Sequence, residues 1–151
     1  MIRPATAEDV PRLVELGEML HRMSTYRGLS YDREKVGAVL LSLIAGSGVV
    51  FVSERDGLVM GGMAGGLTEH WFSRDKLAFD YSLFIQPGAR HGITAMKLIY
   101  AFCEWARLRG ARQVRLGITT GLNIDSTSRL YRACGFEDAG KLFVKEFDHG
   151  S

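Results

Sequence analysis

Apolar side chains recur along this chain first at helical spacing, then with the alternation of strands, then at helical spacing again. Val10, Leu13, Val14, Leu16 and Leu20 fall on one helical face. Ahead of them stands Thr6, an N-cap type of residue with Asp9 three positions on, close to a capping box. The pattern predicts a helix over residues 7–23, preceded by a short apolar strand at 1–3. The stretch STYRGLSY, 24–31, is polar and aromatic and reads as a loop. Asp32 then caps a second helix whose apolar face is Val36, Val39, Leu40, Leu43 and Ile44, with Gly46 and Gly48 ending it.

The stretch GVVFVSERDGLVMGGMAGGL, 48–67, is two apolar runs around Asp56-Gly57, the turn chemistry of a tight hairpin. Glycines at 61, 62, 65 and 66 thin the second run, which points to a bulge or to a surface approached closely by a chain or ligand. KLAFDYSLFIQP, 76–87, is a further strand ended by Pro87, and a long amphipathic helix over 92–109 follows, with Gly110 fitting its stop. RQVRLGITT, 112–120, becomes nearly all apolar or small, as a central strand covered on both faces does. A short helix carries DSTSRLYRAC, 125–134, and stops at Gly135, where Phe136 can make the apolar contact of a Schellman end. KLFVKEF, 141–147, is a last alternating strand. No repeat or linker interrupts the chain, so residues 1–151 form one domain of order β-α-α-β-β-β-α-β-α-β. The crossover between 77 and 118 makes its two strands parallel, and the remainder is hairpin-like, which predicts an α/β (α+β) fold with a mixed sheet.

Composition narrows the function classes. A chain of 151 residues, 46% hydrophobic, can bury one ordinary core. With 19 basic against 17 acidic residues the net charge is +2, which does not point to nucleic acid. Two cysteines cannot make a zinc site or a disulfide framework, and Cys103, mid-helix, reads as a buried free thiol. His21 and His91 show no ligand spacing, so no metal is expected. The opening MIRPATAEDV has neither the basic nor the apolar segment of a signal peptide, and no apolar run is long enough for a bilayer. The expectation is a soluble, cytoplasmic protein with no membrane partner.

The chemistry-bearing stretch is FIQPGARHGITAMKLIYAFCEWA, 84–106, a strand feeding a glycine-containing loop that opens a helix. Unpaired N–H groups and the positive end of the dipole make such a corner an anion site, to which Arg90 and His91 add donors. A plain strand–helix loop also favours Gly and Pro, and spacing alone leaves both readings open. The loop has no Gly-Lys-Ser/Thr and no Gly-x-Gly-x-x-Gly.

Taken in order, Pro87, Arg90, Ala95, Leu98, Asn123, Leu130, Tyr131, Gly135 and Phe136, together with the opening IRPATAEDVPRLVEL, resemble the Gcn5-related N-acetyltransferase superfamily over nearly the whole chain. The resemblance implies that family's fold, with its central parallel strands splayed apart, and acetyl-CoA as cosubstrate. Pantetheine would lie along the backbone of Leu83, Phe84 and Ile85, and the pyrophosphate in the loop Arg90, His91, Gly92, Ile93, Thr94 and Ala95. Asn123 and Ser128, in a cluster with Ser126 and Thr127, would add hydrogen bonds, although capping accounts for at least one of that cluster. Tyr131 would protonate the leaving thiolate. For a general base Glu69 ranks first and Asp80 second, with His70 and Tyr81 as further candidates.

The resemblance further implies a small-molecule or protein amine as acceptor, enclosed by MSTYRGLSY, 23–31, whose tyrosines, with Arg22 and Arg27, suggest a polar or anionic compound. The family often forms homodimers. Trp71 and Phe72 read equally as a substrate or partner contact and as a core lid. Two departures stand out: Ile93 occupies a usual glycine position, and Asn123 to Tyr131 is one residue longer than usual. They keep a second class open, a non-catalytic module of the same fold acting in binding or assembly. The compact form with GITTGLN, 117–123, looks like members carried by phages and prophages.

Overall fold

In a computed structural model the described residues are 1–88, 91–118 and 120–148, without the side chain of His91. A five-stranded mixed sheet runs in sequence order: β1 (Ile2–Pro4), β2 (Gly48–Arg55), β3 (Leu58–Glu69), β4 (Lys76–Ile85) and β5 (Gln113–Arg115). The first four strands are antiparallel neighbours, and β4 and β5 are parallel. Helices α1 (Val10–Met23) and α2 (Arg33–Ser42) cover one face; α3 (His91–Leu108) and α4 (Ile124–Ala133) cover the other.

Local chemistry explains most boundaries. The Thr6 N–H donates to the Asp9 carboxylate at 2.8 Å, and a 3-10 turn over Ala7–Asp9 leads into α1. Asp32 accepts from the Lys35 N–H at 3.0 Å and starts α2, which ends in a π turn, Leu43–Ser47, where Gly46 takes a φ of 130°. Asp56 and Gly57, both at positive φ, make the predicted β2–β3 turn. Helix α4 closes as predicted: Phe136 N–H donates to Tyr131 C=O at 3.0 Å and Gly135 N–H to Arg132 C=O at 3.0 Å, while the Phe136 and Tyr131 rings meet at 5.9 Å.

The glycines of β3 make room for the chain itself. A Cβ on Gly65 would stand 2.6 Å from the ring of Phe102, a fully buried α3 residue, so the small residue lets α3 press onto the sheet. Leu98, Ile99, Phe102 and Ala106 form the α3 side of that core with Met63 and Ala78, and Cys103 lies half-buried beside them. On the opposite face Leu13, Val14 and Leu16 of α1 pack with Leu40, Val50, Val52 and Phe84.

Two expectations need correction at the C-terminal end. Residues 141–147 carry the side-chain alternation of a strand but are not a strand of the described sheet, and residues 137–148 are exposed throughout. Accordingly β5 is three residues long and lies at the sheet's edge, not at its centre. A strand needs a partner ladder for its backbone groups as well as a suitable pattern. The side chain of Arg132 grips Asp138 through two bonds of 3.0 and 3.1 Å and thereby fixes the start of the departing segment.

Candidate active site

The parallel ladder between β4 and β5 holds only for Leu77, Ala78 and Phe79 opposite Gln113, Val114 and Arg115. Beyond it the two chains part, and the gap widens into a cleft of about 810 Å³. This is the splaying that the sequence implied. One wall is β4 from Asp80 to Ile85, and the other is the continuation of β5 through Gly117, Ile118 and Thr120. Asn123, Ser126, Thr127 and Tyr131 of the α4 region line one end, while Gly17, Leu20, His21 and Met23 of α1, with Ser24 and Tyr26, line another. Pro87, Gly88, Gly92 and Ala95 close the side nearest the start of α3.

A bulge sets the chemistry of the β4 wall. Ala64 pairs with Ser82 and Gly65 with Asp80, so Tyr81 is an extra residue in β4. Such a residue bends its strand and re-aims the side chains around it. Asp80 borders the cleft, where its own N–H and the N–H of Gly117 across the gap favour its charged form. Burial nevertheless pushes this carboxyl up from its ordinary 3.8 to about 6, no cation among the described residues offsetting desolvation.

Tyr131 reaches the same residue through the next peptide group: its hydroxyl donates to the Gly117 C=O at 3.2 Å. Burial, with the Asp80 charge as the second cause, pushes the phenol well above its ordinary value and keeps it protonated. One residue, Gly117, thus faces the carboxylate with its N–H and accepts from the phenol with its C=O.

The far side is tied across the cleft. Thr25 N–H donates to Thr120 C=O at 2.8 Å, and a Cβ on Gly121 would lie 2.6 Å from Thr25 Cγ2, so glycine is needed there for contact as well as for its φ of 75°. His21 Nε2, on the α1 wall, is buried without a hydrogen-bond partner among the described residues. Asn123 starts α4 in the left-handed region, φ 47°, and its side chain makes no capping bond. Ser126 Oγ instead donates to the Asn123 C=O at 3.1 Å.

Of the residues expected at the site, Asp80, Leu83, Phe84, Ile85, Gly92, Ala95, Asn123 and Tyr131 line the cleft. Ile93 is 68% exposed at the first turn of α3 and does not fill the cleft, and Thr94 lies beside it, half-buried. His91 opens the helix with its backbone, and Arg90 lies outside the described residues. Two candidates are not brought to the cleft. Glu69 is exposed at the end of β3, opposite Lys76, and Ser128 is half-buried outside the lining, which Ser126 and Thr127 supply. Tyr31 packs on α1, its hydroxyl donating to the Val14 C=O at 2.8 Å, so only Tyr26 of the two tyrosines faces the cleft. Arg22 pairs with Glu18, and Arg27 donates to the Ser24 C=O. Trp71 and Phe72 are exposed edge to face, not a core lid.

Among the described residues no three His, Cys, Asp or Glu side chains converge as metal ligands, and no helix is long and apolar enough to cross a membrane. No family model matches the chain, and no curated protein matches it by sequence. Solved structures do match. The aminoglycoside acetyltransferase AAC(6')-Iy, in complex with the bisubstrate analogue CoA-S-monomethyl-acetylneamine, superposes with a TM-score of 0.75 at 19% identity, over 97% of each chain. The aminoglycoside acetyltransferase meta-AAC0020 from an uncultured soil metagenomic sample, bound to sisomicin, gives a TM-score of 0.72 at 20% identity, over 97% of this chain and 95% of that one. An acetyltransferase of Trypanosoma brucei gives 0.70 at 16%, over 97% and 99%. This chain therefore has the acetyltransferase fold.

Proposed function

We propose that the protein is an acetyl-CoA-dependent N-acetyltransferase that transfers the acetyl group to a primary amine by direct attack on the thioester. The single observation behind this reading is Gly117, whose N–H faces the Asp80 carboxylate and whose C=O accepts from Tyr131 where β4 and β5 part. The wedge also fits the cosubstrate. Past Phe79 the edge of β4 at Leu83–Ile85 has no β5 ladder, a Cβ on Gly88 or Gly92 would meet nothing within 4 Å, and Asn123 keeps its side chain out of capping. Acetyl-CoA supplies an activated acyl group on sulfur. The backbone of Leu83, Phe84 and Ile85 and the first turn of α3 from His91 to Ala95, with Arg90, orient it; Asn123, Ser126 and Thr127 add hydrogen bonds.

Asp80 is the base. With its carboxyl near pH 6 it is largely ionised at neutral pH, yet binds a proton more readily than an ordinary aspartate. It takes the proton of the attacking amine. Tyr131 is the acid that protonates the departing sulfur. The two are coupled through charge: the Asp80 carboxylate is one cause of the raised Tyr131 pKa. Once Asp80 is protonated, that contribution vanishes and the phenol becomes a better donor as the sulfur leaves.

Asp80 is the only carboxylate among the described lining residues, which include no Lys or Arg. That charge pattern suits an acceptor with one ammonium group, oriented by the unpartnered His21 Nε2 and by Tyr26, better than a polyamine such as an aminoglycoside. Thiol release from acetyl-CoA over a panel of monoamines, polyamines and lysine peptides tests the reading. Binding alone is read as a thermal shift: at a hundredfold excess over Kd acetyl-CoA stabilises by about 2.7 kcal/mol, a rise of several degrees. No shift removes the cosubstrate. A shift without turnover on any amine leaves the non-catalytic binding module.

A further inference from the structure

Among the described residues one buried side-chain polar atom has no hydrogen-bond partner: His21 Nε2, on the α1 wall of the cleft. Folded chains pair their buried polar groups, because an unpaired one has given up its bonds to water for nothing. The imidazole is also held in place. Its ring packs on that of Tyr31 at 5.3 Å, tilted by 45°. Tyr31 is itself fixed, its hydroxyl donating to the Val14 C=O at 2.8 Å. A Cβ on Gly17 would stand 2.7 Å from that hydroxyl, so the glycine makes room for the support. A ring braced in this way around an unpaired nitrogen is preorganised for a ligand.

Charge says which ligand. Of the described lining residues His21 alone can carry a positive charge, and Asp80 is the only carboxylate. The two stand on different walls, His21 on α1 and Asp80 beside the bulge of β4. Leu20 and Met23 of α1 and Phe84 of β4 add apolar lining. A zwitterion answers all three features, with its ammonium at Asp80, its carboxylate at His21 and its methylenes against the apolar side chains. Even a neutral imidazole donates through one ring nitrogen, and a donor facing a carboxylate makes a charge-assisted bond. A plain alkylamine would leave Nε2 unpaired in the complex. A polyamine would bring it a second ammonium group instead of an anion.

We propose that the acceptor is a zwitterionic amino carboxylate, its ammonium group held by Asp80 and its carboxylate by His21 Nε2. The proposal rests on the acetyltransferase reading for the fate of the amine, and deepens it by naming the class of acceptor. His21 is then a specificity-determining residue, and Tyr31 a positioning residue that acts through it. The span between the two charged groups of the ligand decides which chain length fits.

Calorimetric titration of the full chain, with and without coenzyme A, compares each amino carboxylate with the amine that lacks its carboxylate. The pairs are glycine and methylamine, β-alanine and ethylamine, γ-aminobutyrate and propylamine, and ε-aminocaproate and pentylamine. At least one pair is expected to favour the amino carboxylate by about 10–100-fold in Kd, the range of a hydrogen bond to a charged group. His21→Leu is expected to abolish that preference, and His21→Gln, which keeps an N–H donor, to restore part of it. Tyr31→Phe should weaken the preference without removing it. Equal affinity within every pair, or no binding by any member, overturns the proposal, as does a preference that His21→Leu leaves intact. The comparison within pairs uses the wild-type chain and stands even where a variant does not fold. Thiol release from acetyl-CoA is read on the same compounds. Preference in binding without turnover removes the acetyltransferase reading and leaves the zwitterion site; turnover of both members at equal affinity does the reverse.

Discussion

Two aspartates, each drawn away from water, show how environment assigns roles to one side chain. Asp9, 8% exposed at the start of α1, receives the Arg3 guanidinium through two bonds of 2.8 and 3.0 Å and the Thr6 N–H at 2.8 Å. Arg3 holds its carboxyl below the ordinary range. Asp80, in the cleft, has backbone N–H groups but no cation among the described residues, and burial raises it to about 6. A full charge beside a carboxylate outweighs desolvation, and two amide dipoles do not. Asp9 is thereby a permanent anion that pins β1 to α1; Asp80 is a carboxylate poised to accept a proton.

The comparison is broken most severely at Asp80. Asp80→Asn keeps an oxygen for the Gly117 N–H but cannot take a proton, so kcat is expected to fall by about 10³, measured as thiol release at saturating acetyl-CoA. An unchanged kcat removes Asp80 from the mechanism. Tyr131→Phe removes the donor while leaving the ring against Phe136, and a fall of about 10² in kcat is expected with the acetyl-CoA thermal shift preserved. Loss of that shift would make the phenol a binding group instead.

At the other carboxylate the expected effect is on the fold alone. Asp9→Asn removes the charge and one of the two oxygens that Arg3 grips, at a cost of about 2 kcal/mol. For a chain of this length that lowers Tm by about 4–8 °C, with kcat at 25 °C unchanged because Asp9 does not line the cleft. A variant as stable as the parent would mean that the pair merely breaks even against its own desolvation.

The contrast also explains what could be read without coordinates. The capping residues, the Asp56-Gly57 turn and the Gly135 helix stop are local, since each is fixed by a few adjacent residues, and each appears where the sequence puts it. The ranking of Glu69 over Asp80 was not local. Which carboxylate borders the cleft depends on the extra residue at Tyr81, and no alternation pattern reveals where a bulge falls. The lining by Ser126 and Thr127 instead of Ser128 depends on the phase of α4, set by the left-handed backbone of Asn123. The strand pattern at 141–147 is plain in the sequence, but a pattern becomes a strand only where a ladder forms, and the described sheet has none there.

The gentlest test compares the two aspartates through pH. An unfolded aspartate titrates near 3.8; folded Asp80 titrates near 6, so between these values the native state holds the extra proton. Stability therefore falls as pH rises from about 4 to 6, by on the order of 3 kcal/mol, and the loss persists above pH 6. Asp9 acts in the opposite sense. Its folded carboxyl is depressed, so its contribution is complete above the unfolded value and disappears as pH falls through the folded one. In melting curves recorded from pH 3 to 8, Asp80→Asn should flatten the slope between 4 and 6, and Asp9→Asn should flatten only the slope below about 4. If both variants flatten the same limb, the two carboxylates do not differ in the way their neighbours dictate.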